Sequence, residues 1–107
     1  MLPFHPERRT PTYDLEEVQR LAGQGPISCK VTTVALRGAA ALDLEHEHVI
    51  EAVLLLCPDD FYKTMPSDEV PGSWQDVYHL TYQELQLYIK LQISTSGLAV
   101  VIQFKRR

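Results

Sequence analysis

The chain has few of the residues that a disulfide-stapled or zinc-binding protein needs. Its 107 residues include only two cysteines, Cys29 and Cys57, which form no Cys-x-x-Cys pair and have no histidine at metal-finger spacing. Cysteines this sparse indicate neither a disulfide framework nor a structural zinc site. We therefore expect two buried, reduced thiols in a protein that uses no cofactor.

Long apolar runs are absent as well. No stretch approaches the roughly eighteen consecutive apolar residues of a membrane helix. The N-terminal segment MLPFHPERRTP is interrupted by proline and charge, unlike a signal peptide. With 45% hydrophobic and 22% charged residues, the composition is that of an ordinary globular protein. These features predict one cytoplasmic domain over residues 1–107, with no membrane partner and with residues 1–11 as a candidate flexible arm.

Positive charge is scarce overall and unevenly placed. The net charge is −4, from ten Lys and Arg against fourteen Asp and Glu. Residues 1–59 carry five basic and nine acidic side chains, whereas residues 60–107 carry five of each and end in KRR. This total excludes a uniformly basic nucleic-acid binder. A local basic site in the second half remains compatible with it, because steering depends on the field at the site.

The first half of the chain has the periodicity of helices. In TYDLEEVQRLAGQG, apolar residues recur at helical spacing after a candidate N-cap, either Thr12 or Asp14. A short strand is predicted in PISCKV and a second helix in the alanine-rich TTVALRGAAALDL. A third helix is predicted in LEHEHVIEAVLLL, which Pro58 prevents from extending further. The residues expected to face inward from this third helix are Val49, Ile50, Val53 and Leu54.

The second half changes to the periodicity of strands. LQLYIKLQI alternates strictly, which places Tyr88 on the face opposite the leucines and isoleucines. After the hairpin-like STSG, a final strand is predicted with Leu98, Val100, Ile102 and Phe104 on one face and with Val101, Gln103 and Lys105 on the other. FYKTM and WQDVYHLTY supply two more strands. The order of elements predicts an α+β fold, with three N-terminal helices on one face of a mostly antiparallel sheet and the other face open.

The segment DLEHEH is a candidate metal site because it clusters histidines and acids. In a helix, however, residues two apart point about 200° away from each other, so His46 and His48 cannot share a metal ion. A pair of His48 with Glu51 remains open as an alternative. The simpler interpretation is a solvated acidic start to the third helix, which suits its dipole, and we predict no metal site.

Four motifs occur together in the second half: DFYKTM, WQDVY, YIK and a terminal FK. In this order and at nearly this spacing they resemble the motility quorum-sensing regulator (MqsR) toxins of bacterial type II toxin–antitoxin systems. The RTP before the first helix also fits that family. The resemblance covers essentially the whole chain and is strongest from residue 60 to residue 88.

The resemblance implies a RelE-like α+β fold and a sequence-specific, ribosome-independent endoribonuclease. Such an enzyme cleaves single-stranded mRNA by metal-independent transesterification and so inhibits translation and growth. Its expected partner is a zinc-containing, helix-turn-helix antitoxin dimer. The alternative is a non-catalytic member of the same fold that binds RNA or a protein.

The same resemblance implies the site residues. Lys63, Gln75 and Tyr88 would be catalytic, with Lys63 supplying charge, Gln75 positioning the substrate and Tyr88 orienting the phosphate or donating a proton. His79 is an added candidate for contact with the substrate or for acid–base work, although a plain surface histidine is the alternative interpretation. The other residues implied to bind substrate are Tyr62, Met65 and Lys105.

Overall fold

A computed structural model describes residues 8–107 of the chain, and its elements confirm the α+β class. The helices do not form one uninterrupted N-terminal block, because a short strand lies between the first and second. The elements are α1 (Leu15–Gly23), β1 (Cys29–Val31), α2 (Thr33–Ala40), α3 (His46–Leu55), a 3₁₀ turn (Pro58–Asp60), β2 (Phe61–Pro66), β3 (Trp74–Tyr82), β4 (Leu85–Ile93) and β5 (Ala99–Arg106).

The five strands form one sheet in the order β1-β5-β4-β3-β2. Strands β2 to β5 pair antiparallel with their sequence neighbours, whereas β1 pairs parallel with β5. The mostly antiparallel sheet is therefore confirmed. The parallel pair brings the first strand of the chain beside the last one, so that α2 and α3 belong to the connection between them.

The helices bury one face of the sheet. Strand β4 supplies Leu87, Ile89 and Leu91, each at most 1% exposed, as its strict alternation predicts. Each fully buried side chain of this kind contributes roughly 1.5–3 kcal/mol through the hydrophobic effect. The helices add apolar side chains at three- and four-residue spacing, namely Val18, Leu21, Ala35, Ala39, Val49, Ala52 and Val53.

One inward-facing prediction for α3 is wrong. Leu54 is 46% exposed, whereas Ala52 is fully buried and Ile50 is only partly buried. The inward stripe of the helix runs through Val49, Ala52 and Val53, so that Leu54 points to solvent. The sequence does not show which face of the helix is buried, because every residue of the run VLLL is apolar.

A β-bulge interrupts β5 and overturns its predicted alternation. Lys90 pairs with Gln103 while Leu91 pairs with Val101, which leaves Ile102 as an extra residue. Consequently Val101 joins Phe104 in the core, and Val100 and Ile102 do not. The hydroxyl of Thr32, the residue before α2, donates to the carbonyl of Ile102 at 2.8 Å.

Helix α2 lies directly against the backbone of β5 at Gly38. A Cβ atom at this position would lie 1.8 Å from the carbonyl oxygen of Phe104. Only glycine permits this approach, since any side chain would have to displace the strand's backbone. The contact fixes the end of β5 that carries Lys105.

The two cysteines differ in their environment. Cys29 in β1 is buried, as predicted, and burial raises the pKa of its thiol. The prediction is wrong for Cys57, which is exposed because α3 has already ended and the chain turns at the surface before Pro58. Both thiols are free.

Residues 8–13 lie along β2 and β3. Arg8 exchanges two backbone hydrogen bonds with Thr64 of β2, at 3.0 and 2.9 Å. The carboxylate of Asp76, fully buried in β3, accepts from the backbone N–H groups of Thr12 at 3.0 Å and Tyr13 at 2.9 Å. The flexible arm stays a prediction, and residues 1–7 of it lie outside the described residues.

His48 and Glu51, the pair left open as metal ligands, each have a hydrogen-bond partner within the fold. The Nδ1 atom of His48 accepts from the backbone N–H of Glu45 at 2.9 Å, and Glu51 accepts from the hydroxyl of Tyr82. Within residues 8–107, no group of three or more His, Cys, Asp or Glu side chains is placed to hold a metal ion. No helix in this same range has both the length and the apolar character needed to cross a membrane.

Candidate active site

The face of the sheet that the helices leave uncovered, here called the open face, begins at a bulge in β2. Phe61 pairs with Tyr78 and Lys63 pairs with Val77, so Tyr62 is the extra residue. The ring of Tyr62 stacks on that of His79 in β3. Lys63 and Thr64 point to opposite faces of the sheet, and Thr64 is the one that pairs with the buried Asp76. The bulge therefore places two successive side chains, an aromatic ring and an ammonium group, on the open face.

Three cross-strand rows of side chains make up the centre of the open face. The first, the lysine row, consists of Lys63, Val77, Lys90 and Gln103 on four neighbouring strands. Neighbouring strands lie about 4.8 Å apart, so the backbones of Lys63 and Lys90 are separated by about 10 Å. Two long lysine side chains at that separation can reach the same phosphate group.

Lys90 is the charged member of this row that sequence reasoning did not include in the site. Burial lowers the pKa of its ammonium group; nearby Lys105 and Lys63 lower it further, while Asp68 acts in the opposite direction. A half-buried lysine among other cations is costly to the fold, which marks it as a functional candidate. Its signal in the sequence was its place in the YIK motif, two residues after Tyr88.

The second row, the aromatic row, consists of Tyr62, His79, Tyr88 and Lys105. The rings of Tyr62 and His79 stack with centroids 4.2 Å apart and planes 21° apart, and the ring of Tyr88 lies 6.2 Å from His79. The Nζ atom of Lys105 lies 4.9 Å from the centroid of Tyr88. Stacked, half-exposed rings beside a cation are the kind of surface on which nucleobases can stack.

His79 occupies the centre of the aromatic row. Burial lowers the pKa of its imidazole, and the positive charges of Arg107 and Lys63 lower it further. A lowered pKa leaves the ring neutral at neutral pH. A neutral ring can stack on a base or accept a proton.

The third row, the amide row, consists of Met65, Gln75, Gln92 and Val100: Met65 pairs with Gln75, Gln92 pairs with Val100, and the two glutamines line one cleft. The side-chain amide of Gln75 lies 3.5 Å from the hydroxyl of Ser67 in the β2–β3 loop. This row lies on the side of the lysine row opposite the aromatic row.

Positive charge collects on the open face although the protein is acidic. Six cations lie on it or at its margin: Arg9, Lys30, Lys63, Lys90, Lys105 and Arg107. The acidic residues of the first half lie largely on or beside α1 and α3, behind the sheet. The local field at the open face therefore differs in sign from the net charge.

The structure brings all seven predicted site residues onto the open face. Tyr62, Lys63, His79, Tyr88 and Lys105 lie in the two adjacent rows, and Met65 and Gln75 lie in the third. Lys90, Gln92 and Gln103, which sequence reasoning left out, complete the same surface. The roles of the seven residues stay predictions.

The chain's relatives match it over nearly its full length. Residues 10–106 match the family described as "Motility quorum-sensing regulator, toxin of MqsA". The chain belongs to the MqsR toxin family. Among its relatives is the mRNA interferase toxin MqsR of Escherichia coli (strain K12), which is 31% identical over 101 residues, covering 94% of this chain and 99% of that protein. The family resemblance predicted from the four motifs is thus confirmed, and the matched region includes all three rows of the open face.

Proposed function

We propose that this member of the MqsR family is the toxin of a type II toxin–antitoxin system and that it cleaves single-stranded mRNA on its open face. In this proposal the protein is a sequence-specific, ribosome-independent endoribonuclease of the RelE-like fold, and its action in the cytoplasm inhibits translation and growth. The observation that carries it is the convergence of Lys63, Gln75, Tyr88 and Lys105 on one cationic face. A relative named as an mRNA interferase toxin supports the same activity.

The proposed reaction is a metal-independent transesterification. The 2′-oxygen of one nucleotide attacks the adjacent phosphorus, its proton leaves, and the bond from phosphorus to the 5′-oxygen breaks as that oxygen takes up a proton. The products are a 2′,3′-cyclic phosphate and a 5′-hydroxyl. Lys63 and Lys105 stabilise the negative charge that develops on the phosphate oxygens, and such fixed electrostatics usually contribute most to the rate.

The remaining side chains position the substrate. Tyr88, between His79 and Lys105, orients the phosphate or protonates the departing 5′-oxygen, and Gln75 holds the RNA by hydrogen bonds that do not depend on pH. Tyr62 and His79 stack on unpaired bases. Met65 lines the Gln75 end of the face.

The partner of this toxin is an antitoxin, because the family itself is described as the toxin of MqsA. We propose that this antitoxin is a zinc-containing, helix-turn-helix dimer. Coexpression with the neighbouring gene should then relieve the growth arrest that the toxin causes.

The test incubates purified protein with a mixed-sequence RNA in EDTA and maps the ends. Wild type should cleave and leave 5′-hydroxyl ends, and Lys63→Ala should lower the rate by about 100-fold or more, the loss expected when one charge-stabilising group is removed. Arg37→Ala is the matched control, because it also removes one positive charge but from the helix layer. Binding without cuts would favour the non-catalytic alternative, and cleavage that needs added metal would contradict the proposed chemistry.

A further inference from the structure

The open face continues into a cleft of about 610 Å³ beside the amide row. Its floor includes Gln75, Lys90, Gln92 and Gln103. One wall is the β2–β3 loop at residues 67–70, and the other is formed by the end of β1 and the start of α2. All four floor residues therefore belong both to the lysine and amide rows and to the cleft.

The chemistry of the cleft suits a nucleobase better than a phosphate. Three glutamine side chains offer both N–H donors and carbonyl acceptors, which is what the edge of a base requires. Asp68 and Glu69 on the loop wall oppose a phosphate, while they can accept from the amino group of a base. Lys30 and Lys90 can donate to acceptor atoms of a base edge.

The position of the cleft connects it to the reaction. Successive residues on one face of a strand are two apart, so the amide row lies about 7 Å from the lysine row. When a phosphate lies on the lysine row, the base of the same nucleotide can reach the amide row and enter the cleft. Splayed bases held in side-chain pockets are the usual way in which proteins read single-stranded RNA.

We propose that this cleft binds the base next to the scissile phosphate and thereby sets the cut-site preference, with Gln92 and Gln103 as specificity-determining residues. The inference rests on the proposed endoribonuclease function. It goes beyond that function because it separates the residues that read sequence from the residues that stabilise charge.

The test maps cleavage sites on a random-sequence RNA for wild type and for the double variant Gln92→Ala, Gln103→Ala. The double variant should still cleave in EDTA, but its preference at one position beside the cut should fall about tenfold, the scale of one good amide-to-base contact. Gln86→Ala is the matched control. It removes the same side chain as Gln92→Ala, from the same strand and face, on the far side of Tyr88 from the cleft.

Each outcome separates the two proposals. An unchanged base distribution in the double variant, or a uniform loss of cleavage over all sequences, overturns the role of the cleft while leaving the endoribonuclease proposal intact. A wild type that does not cleave rejects the proposed function itself. If the double variant fails to fold by circular dichroism, Gln103→Glu replaces it; exchanging the amide donor for an acceptor should shift the preferred base, and an unshifted base overturns the proposal.

Discussion

The two faces of this sheet are built from the same strands yet have opposite properties. Toward the helices, β4 presents leucine and isoleucine side chains that are almost fully buried. Toward solvent, the same strand presents Tyr88, Lys90 and two glutamines. The comparison shows that a net charge of −4 says little about binding, because the helix layer carries acids and the open face carries cations.

Bulges distinguish β2 and β5 from the central strand β4. Strand β4 alternates without interruption, whereas β2 gains an extra residue at Tyr62 and β5 gains one at Ile102. Each bulge changes which face of the sheet the following side chains occupy, and so it brings site residues to the open face. The open face therefore depends on breaks in the alternation that builds the covered face.

The largest expected effect comes from Asp76, which belongs to the covered side of the sheet. Its carboxylate is fully buried and satisfies the backbone N–H groups of Thr12 and Tyr13. Asp76→Asn should lower the free energy of unfolding by about 3 kcal/mol, because an amide cannot accept from both donors through two oxygens. The shift in the urea midpoint measures this loss.

The control is Asp59→Asn, an exposed carboxylate in the 3₁₀ turn, which should change stability by less than about 0.5 kcal/mol. The RNA cleavage rate per folded molecule should remain that of wild type in Asp76→Asn. A variant that keeps its stability but loses cleavage would instead show that Asp76 serves the reaction and not the fold.

A second prediction concerns Lys90, whose charge should lower the stability of the fold but raise the affinity for RNA. Lys90→Met removes a half-buried charge and keeps an apolar stem, so stability should hold or rise. Affinity for an uncleavable 2′-O-methyl RNA should fall by about tenfold at low salt, and the slope of log affinity against log salt should lessen by about 0.7. Binding titrations at several salt concentrations measure both quantities.

The matched control is Arg37→Met, which removes the same charge from α2. It should leave the salt slope unchanged, because the helix layer is behind the sheet. Equal effects of the two substitutions would mean that the RNA responds to net charge, and the distinction between the two faces would fail.

Much of this arrangement could be predicted from the sequence. Strict alternation placed Tyr88 on the open face, and the four motifs indicated the family and six of the seven candidate residues, to which His79 was added. The bulges could not be predicted, because periodicity gives no sign of an extra residue until the partner strand is known. For the same reason Val101 was assigned to the wrong face. The cleft could not be predicted either, because its lining residues are far apart in the sequence.

The smallest expected effect is the pH dependence that His79 adds to stability. Burial, Arg107 and Lys63 lower the pKa of its imidazole below the value of about 6.5 found in unfolded chains. Above pH 6.5 the ring is neutral in both states and contributes no pH dependence. As the pH falls through 6.5, the unfolded state takes up the proton first, so the folded state loses stability until the pH passes below the lowered pKa.

His79→Gln should remove this loss between pH 7 and pH 5, by less than about 1 kcal/mol because solvent screens a partly exposed ring. Thermal melts at pH 5, 6 and 7 compare the variant with wild type and with His46→Gln, whose histidine is exposed on α3. Parallel curves for all three proteins would mean that the open face does not lower the pKa of His79. A flatter curve for His79→Gln alone would show that its surroundings, burial first and the neighbouring cations second, disfavour the protonated imidazole.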